Sequence, residues 1–173
     1  MTISAAELDA MPEAEAAFKL AACCGSSKWV AGMLRRRPFG SRAAVLDAGD
    51  TVSDALERDD WLEAFSHHPR IGERNSNSVV STSAESWSAG EQSAVATADT
   101  ALRAALVDAN AAYEARFGFI FIIRAAGRGA AEILAALRER MENEVGTEVF
   151  VAALEQKQIT RLRLEKLITP EHA

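Results

Sequence analysis

The stretch EQSAVATADTALRAALVDANAAYEARFG, residues 91–118, decides the fold class. Ala94, Ala98, Leu102, Ala105, Leu106 and Ala109 recur at three- and four-residue intervals, the spacing that gathers apolar side chains on one face of a helix. The pattern predicts one long helix from about Ala89 to Phe117. Gly118 marks its end, because glycine readily takes the left-handed conformation that closes a helix. The segment that follows, FIFII at 119–123, has the β-propensity of a strand, but with no second convincing strand nearby it cannot build a sheet. The expectation is an extended connector buried between helices.

The same helical spacing extends to both sides. Ser4 with Glu7 has the spacing of a capping box, and Pro12 suits the first turn of a helix running to about Ala22. Ser26 or Ser27 can open the next helix, through Trp29, Met33 and Leu34, which Arg35, Arg36 and Arg37 close against the helix dipole before Pro38 stops it. Ser41 is a candidate cap for a helix over 43–48, Ser53 for another, and Asp59 and Asp60 precede the apolar WLEAF at 61–65. RNSNSVVSTSAES at 74–86 is polar, serine-rich and aperiodic, and reads as a surface loop or a mobile flap. Helices at roughly 129–143 and 147–168 complete the chain, the last carrying Val151, Leu154, Ile159, Leu162, Leu164, Leu167 and Ile168. With 173 residues, enough for one substantial core, the expectation is a single all-α domain over 1–173, an up-and-down bundle of seven to nine helices.

Composition narrows the function classes. A net charge of −6 argues against a nucleic-acid partner, since phosphate-binding proteins usually present a basic face. No apolar run approaches the roughly 20 residues of a membrane helix. The start, MTISAAELDAMPEAEAAF, has neither the basic opening nor the apolar middle of a secretory signal, so a cytoplasmic protein is expected. Cys23 and Cys24 are sequence neighbours, poorly placed for an ordinary disulfide, and read as reduced core thiols. Three histidines, with no HExxH, CxxC or carboxylate-rich loop, leave no metal-ligand set of useful spacing, and no metal is expected. GxSxG, Walker and GxGxxG motifs are absent as well.

A few residues stand out as carriers of chemistry. Pro69 disfavours the α conformation at His68 and pushes the chain out of its helix there, so that the imidazole can face a pocket. Histidine is also the side chain best suited to move a proton at neutral pH. The bland alternative is a capping or partly buried histidine, which is how His67 is read. Ser88 and Glu91 in SAGEQ, 88–92, form a capping box at the start of the predicted long helix, and a helix N-terminus also favours anions. Arg161 and Arg163 stand about 200° apart on a helix, so one of them should look inward and needs an anionic or carbonyl partner.

Taken together, HHPRIGE at 67–73, SAGEQ at 88–92, FGFIFII at 117–123 and ITRLRLEKL at 159–167 resemble the OHCU decarboxylase family, in order and at family-like separations over about residues 10–168. The family's all-helical enzymes turn 2-oxo-4-hydroxy-4-carboxy-5-ureidoimidazoline (OHCU) into (S)-allantoin and CO2 without a cofactor. The resemblance implies that His68 and Glu91 are catalytic. It implies that Pro69, Ser88, Gln92 and Arg163 contact the substrate, and that the backbone of Phe119, Ile120, Phe121, Ile122 and Ile123 hydrogen-bonds its ring. Arg124 stands where some relatives place a substrate-binding arginine. HPRIGE in place of HPDLAG, and Ile120 in place of a proline, depart from many relatives. The family also implies a small-molecule substrate and a homodimer. A helical interaction module explains each residue singly, with SAGEQ as a cap and Arg163 as an interface ion pair, but does not explain their shared order. The preceding hydrolysis of urate breakdown is a second enzymatic alternative.

Overall fold

The computed structural model describes residues 2–71 and 82–170. Ten helical segments run through them: α1 Ala5–Ala10, α2 Glu13–Cys23, α3 Ser27–Leu34, α4 Arg42–Asp54, α5 Arg58–Ser66, α6 Thr82–Glu91, α7 Ser93–Ala96, α8 Thr100–Phe117, α9 Ala130–Arg140 and α10 Val145–Leu167. α7 is a four-residue turn, which leaves nine helices of six residues or more, and no sheet forms among the described residues. The all-α reading therefore holds. Contacts gather the chain into two compact units, one of Met1–Ala64 with Lys157–Ala173 and the other of Phe65–Gln156, with boundaries inside α5 and α10.

In the first unit, α2 packs on α3 and α3 on α4. Trp29 is fully buried, and its indole N–H donates to the Gly49 carbonyl (3.2 Å) and to Ser53 Oγ (3.1 Å). α3 and α4 approach closely enough that a Cβ on Gly32 would lie 2.6 Å from Val52 Cγ1. Ser4 with Glu7 makes the expected capping box, Ser26 caps α3 and Ser41 caps α4. Ser53 does not start a helix: it sits inside α4, its hydroxyl donating back to the Gly49 carbonyl at 2.7 Å. The two ends of the unit meet in a single parallel bridge between Ile3 and Ile168.

The second unit is built on α8 and α9, which pack together. Gly118 ends α8 at φ 79°, donating its N–H to the Glu114 carbonyl (2.9 Å), as expected. The long helix of 89–117 does not form as one piece. Asp99 takes an extended conformation and its carboxylate accepts from Leu102 N–H (2.8 Å), so α8 starts at Thr100. A short acidic side chain that satisfies an orphan helix amide outcompetes continuation of the helix. Asp99→Ala should cost about 1 kcal/mol of stability in urea unfolding. An unchanged midpoint would place the origin of the break elsewhere.

The capping box at Ser88 and Glu91 is also overturned. Gln92 N–H donates to the Ser88 carbonyl (3.1 Å), which puts Ser88 in the last turn of α6 and Glu91 at its end. The S-x-x-E spacing is the same at either end of a helix, and only the hydrogen-bond direction distinguishes them. Of the polar stretch read as a loop, residues 82–86 are helical, while 74–81 lie outside the described residues.

Candidate active site

α5 ends at Ser66, two residues before His68, in keeping with the effect of Pro69 on its predecessor. His68 N–H donates to the Phe65 carbonyl (3.0 Å) in a tight last turn, His67 is exposed, and His68 and Pro69 are half-buried. The residues just after them are tied to α8. Arg70 grips Glu114 with two hydrogen bonds of 2.8 Å, a grip that holds the Glu114 carboxyl below its usual range. Asn110 donates to the Ile71 carbonyl at 3.2 Å. The turn carrying His68 is thus held on its C-terminal side by a helix 39 to 44 residues away in sequence.

Residues 119–123 form neither helix nor strand, and Phe119, Phe121, Ile122 and Ile123 are buried. The buried connector expected from the sequence is what the chain makes. Aromatic packing explains its position: the Phe119 ring lies 5.4 Å from Phe65 and 5.7 Å from Tyr113, and Phe121 lies 5.1 Å from Tyr113. Such tilted and edge-on pairs bury large areas with defined geometry. The end of α5, next to His68, and the connector therefore belong to one cluster.

Polar clamps hold the connector at its far end. Arg140 Nη1 donates to the Ile122 carbonyl (2.8 Å), and its guanidinium carbon lies 4.6 Å from the centre of the Phe121 ring. Its Nε and Nη2 both reach Glu148 Oε1, at 2.8 and 2.6 Å. Glu148 is wholly buried and also accepts from the Tyr113 hydroxyl and from Asn143 Nδ2 (2.7 Å). Burial and the adjoining carboxylate both push the tyrosine hydroxyl's pKa up, so that it remains a donor. One residue further along, Arg124 N–H donates to Glu155 Oε2 (2.7 Å).

Glu91 lines a cleft of about 370 Å³ with Gly90 and Ser93, opposite the turn Ala125–Gly129. His68, Ser88 and Gln92 are not among its walls. Ser88 is buried at 7% exposure, whereas Glu91 and Gln92 are half-buried. The Arg124 side chain buries its Nε without a hydrogen-bond partner among the described residues. Of the expected site residues, His68, Pro69, Ser88, Glu91, Gln92 and 119–124 lie in this second unit, and Arg163 in the first.

Arg163 is the inward arginine of its pair. It is 4% exposed, with Nη1 3.5 Å from the Ala22 carbonyl, while Arg161 reaches out to Asp50. Beside it lies Cys24, whose pKa burial pushes up to about 11, so the thiol stays protonated and inert at neutral pH. Cys23 and Cys24 are both buried, and neither is in a disulfide, in keeping with the reading as core thiols.

The sequence reading did not single out Arg140, Glu148 or Glu155, the residues that hold the connector backbone. A signal existed for Arg140, which continues the spacing of Ile133 and Leu137, both buried. A charged residue on an apolar stripe announces a buried partner.

The OHCU decarboxylase family model matches residues 9–165. The chain belongs to that family. It is 42% identical over 147 residues to the uric acid degradation bifunctional protein TTL of Arabidopsis thaliana, covering 85% of this chain but 45% of that protein, so it spans less than half of that relative. It is 30% identical to the mouse 2-oxo-4-hydroxy-4-carboxy-5-ureidoimidazoline decarboxylase, over 80% of this chain and 77% of the mouse protein. A crystal structure of an OHCU decarboxylase in the presence of (S)-allantoin superposes with a TM-score of 0.73 at 38% identity, covering 88% of this chain and 99% of that one. Among the described residues no helix is long and apolar enough to cross a membrane, and no group of three or more His, Cys, Asp or Glu could hold a metal ion.

Proposed function

We propose that this chain is an OHCU decarboxylase, yielding (S)-allantoin and CO2 without a cofactor, and that residues 1–173 act as one cytoplasmic, homodimeric enzyme domain. The family match over residues 9–165, which takes in parts of both units, carries this reading.

The chemistry suits a protein that supplies only positioning and proton transfer. In OHCU the carboxylate sits on C4, next to a ring imine at C5. Loss of CO2 leaves its electron pair between C4 and C5, while the imine π pair moves to the ring nitrogen, which takes up a proton. The substrate thus provides its own electron sink. Loss of the 4-hydroxyl proton and protonation of C5 on one face then give the product carbonyl and its stereocentre.

His68 takes the hydroxyl proton. Glu91 orients His68 or holds the substrate N–H groups, while Ser88, Gln92, Arg163 and Arg124 grip its ring and ureido oxygens, with Pro69 shaping the wall beside His68. The connector backbone supports a ring-binding role: none of the hydrogen bonds among the described residues uses the main chain of Phe119, Ile120, Phe121 or Ile123. Buried main-chain groups ordinarily find partners, and a ureide ring offers matching N–H and C=O edges.

The test is to add the purified chain, with chelator, to freshly generated OHCU and follow the circular dichroism of (S)-allantoin. A dichroic signal rising faster than the spontaneous decay, which gives racemic product, is the expected result. Decay at the spontaneous rate would overturn the enzyme and favour a helical interaction module.

A further inference from the structure

We propose that Arg140 is a positioning residue for the ring-binding backbone at 119–123, an inference that rests on the decarboxylase reading. Arg140 is 8% exposed and lies on α9. One edge of its guanidinium is fixed by the wholly buried Glu148, which Tyr113 and Asn143 hold in turn. Its face covers Phe121 and its remaining edge donates to the Ile122 carbonyl at 2.8 Å.

The consequence follows from peptide geometry. A trans peptide is planar, so the Ile122 carbonyl and the Ile123 N–H point opposite ways. By holding that carbonyl, Arg140 turns the Ile123 N–H away from itself. Glu155 acts on the next peptide: it accepts the Arg124 N–H at 2.7 Å and so turns the Ile123 carbonyl away from Glu155. Two side chains on α9 and α10 thereby set the direction of both polar main-chain groups of Ile123. Lysine cannot replace Arg140, because a point charge cannot lie flat on Phe121 while bridging a carboxylate and a carbonyl in one plane.

Arg140→Lys in the full chain should raise KM for OHCU about ten- to hundredfold, the range of one charge-assisted hydrogen bond. Its kcat should stay within about threefold, because binding and not the chemical step is disturbed. Amide hydrogen exchange at Ile123 should quicken. Tyr113→Phe is the control: it loses a hydrogen bond in the same network without touching Ile122, and should lower Tm while KM stays within about twofold. Glu148→Gln, which keeps the shape and loosens the grip on Arg140, gives a smaller rise in KM in the same direction. An unchanged KM in folded Arg140→Lys, or an equal rise in Tyr113→Phe, would reduce the network to a structural one. A wild-type chain that fails to hasten OHCU decay overturns the decarboxylase reading and this inference with it. An active wild type with an indifferent Arg140→Lys overturns this inference alone.

Discussion

On the proposed reading, replacing His68 by asparagine is expected to lower OHCU turnover by about 100- to 10,000-fold, the usual contribution of a general acid–base group. The unfolding midpoint and substrate affinity should scarcely change. Asparagine keeps much of the size and hydrogen bonding of histidine but cannot exchange a proton near neutral pH. The bond that closes the turn after α5 comes from the His68 main chain, and Arg70 and Asn110 secure the residues just after it. None of those interactions needs the imidazole. A structural histidine would instead show its loss as about 1 kcal/mol of stability with little catalytic effect. His67→Asn is the matched control, exposed one residue earlier, and should retain near-normal turnover. Single-turnover kinetics on both variants decide the matter. More than about a tenth of wild-type turnover in His68→Asn, below the usual range for proton-transfer groups, would remove His68 from the chemistry even in an active decarboxylase.

Glu148→Ala is expected to destabilise the protein by about 3–5 kcal/mol, a large share of the stability of a domain this size. Glu148 has no solvent exposure, and its carboxylate is the shared acceptor for Arg140, Tyr113 and Asn143. Truncation leaves a guanidinium at 8% exposure without its counter-charge, together with a buried hydroxyl that has lost its acceptor. Glu148→Gln keeps an acceptor oxygen and should cost markedly less. Urea unfolding of the three proteins gives the comparison. A loss under about 1 kcal/mol for the alanine variant would place Glu148 among surface ion pairs, whose contribution is small.

The contrast between these two positions reflects what local sequence can express. The helix exit at His68 was legible because Pro69 acts on its immediate neighbour through sterics that need no other part of the chain. The capping residues Ser4, Ser26 and Ser41, and the glycine that ends α8, were legible for the same reason: each acts within one helical turn. Asp99 and Ser88 mark the limit. Both sit in stretches rich in small residues and good helix formers, where an N-terminus, a C-terminus and a continuous helix differ by about 1 kcal/mol, within the worth of a single cap. Spacing alone then assigned Ser88 to the wrong end of a helix.

The sequence by itself determined the helical class, most helix limits, the inward turn of one of Arg161 and Arg163, the buried connector at 119–123 and the family. All of these rest on periodicity, short-range sterics or ordered motifs. Only the tertiary structure decided how the connector is held. Arg140, Glu148 and Tyr113 come from three helices, are up to 35 residues apart, and are joined by burial. A charge on an apolar stripe signals that a partner must exist, because a lone buried ion is too costly to keep. Which partner it finds, and which carbonyl its remaining edge grips, depends on how the helices pack, and no short-range rule carries that information.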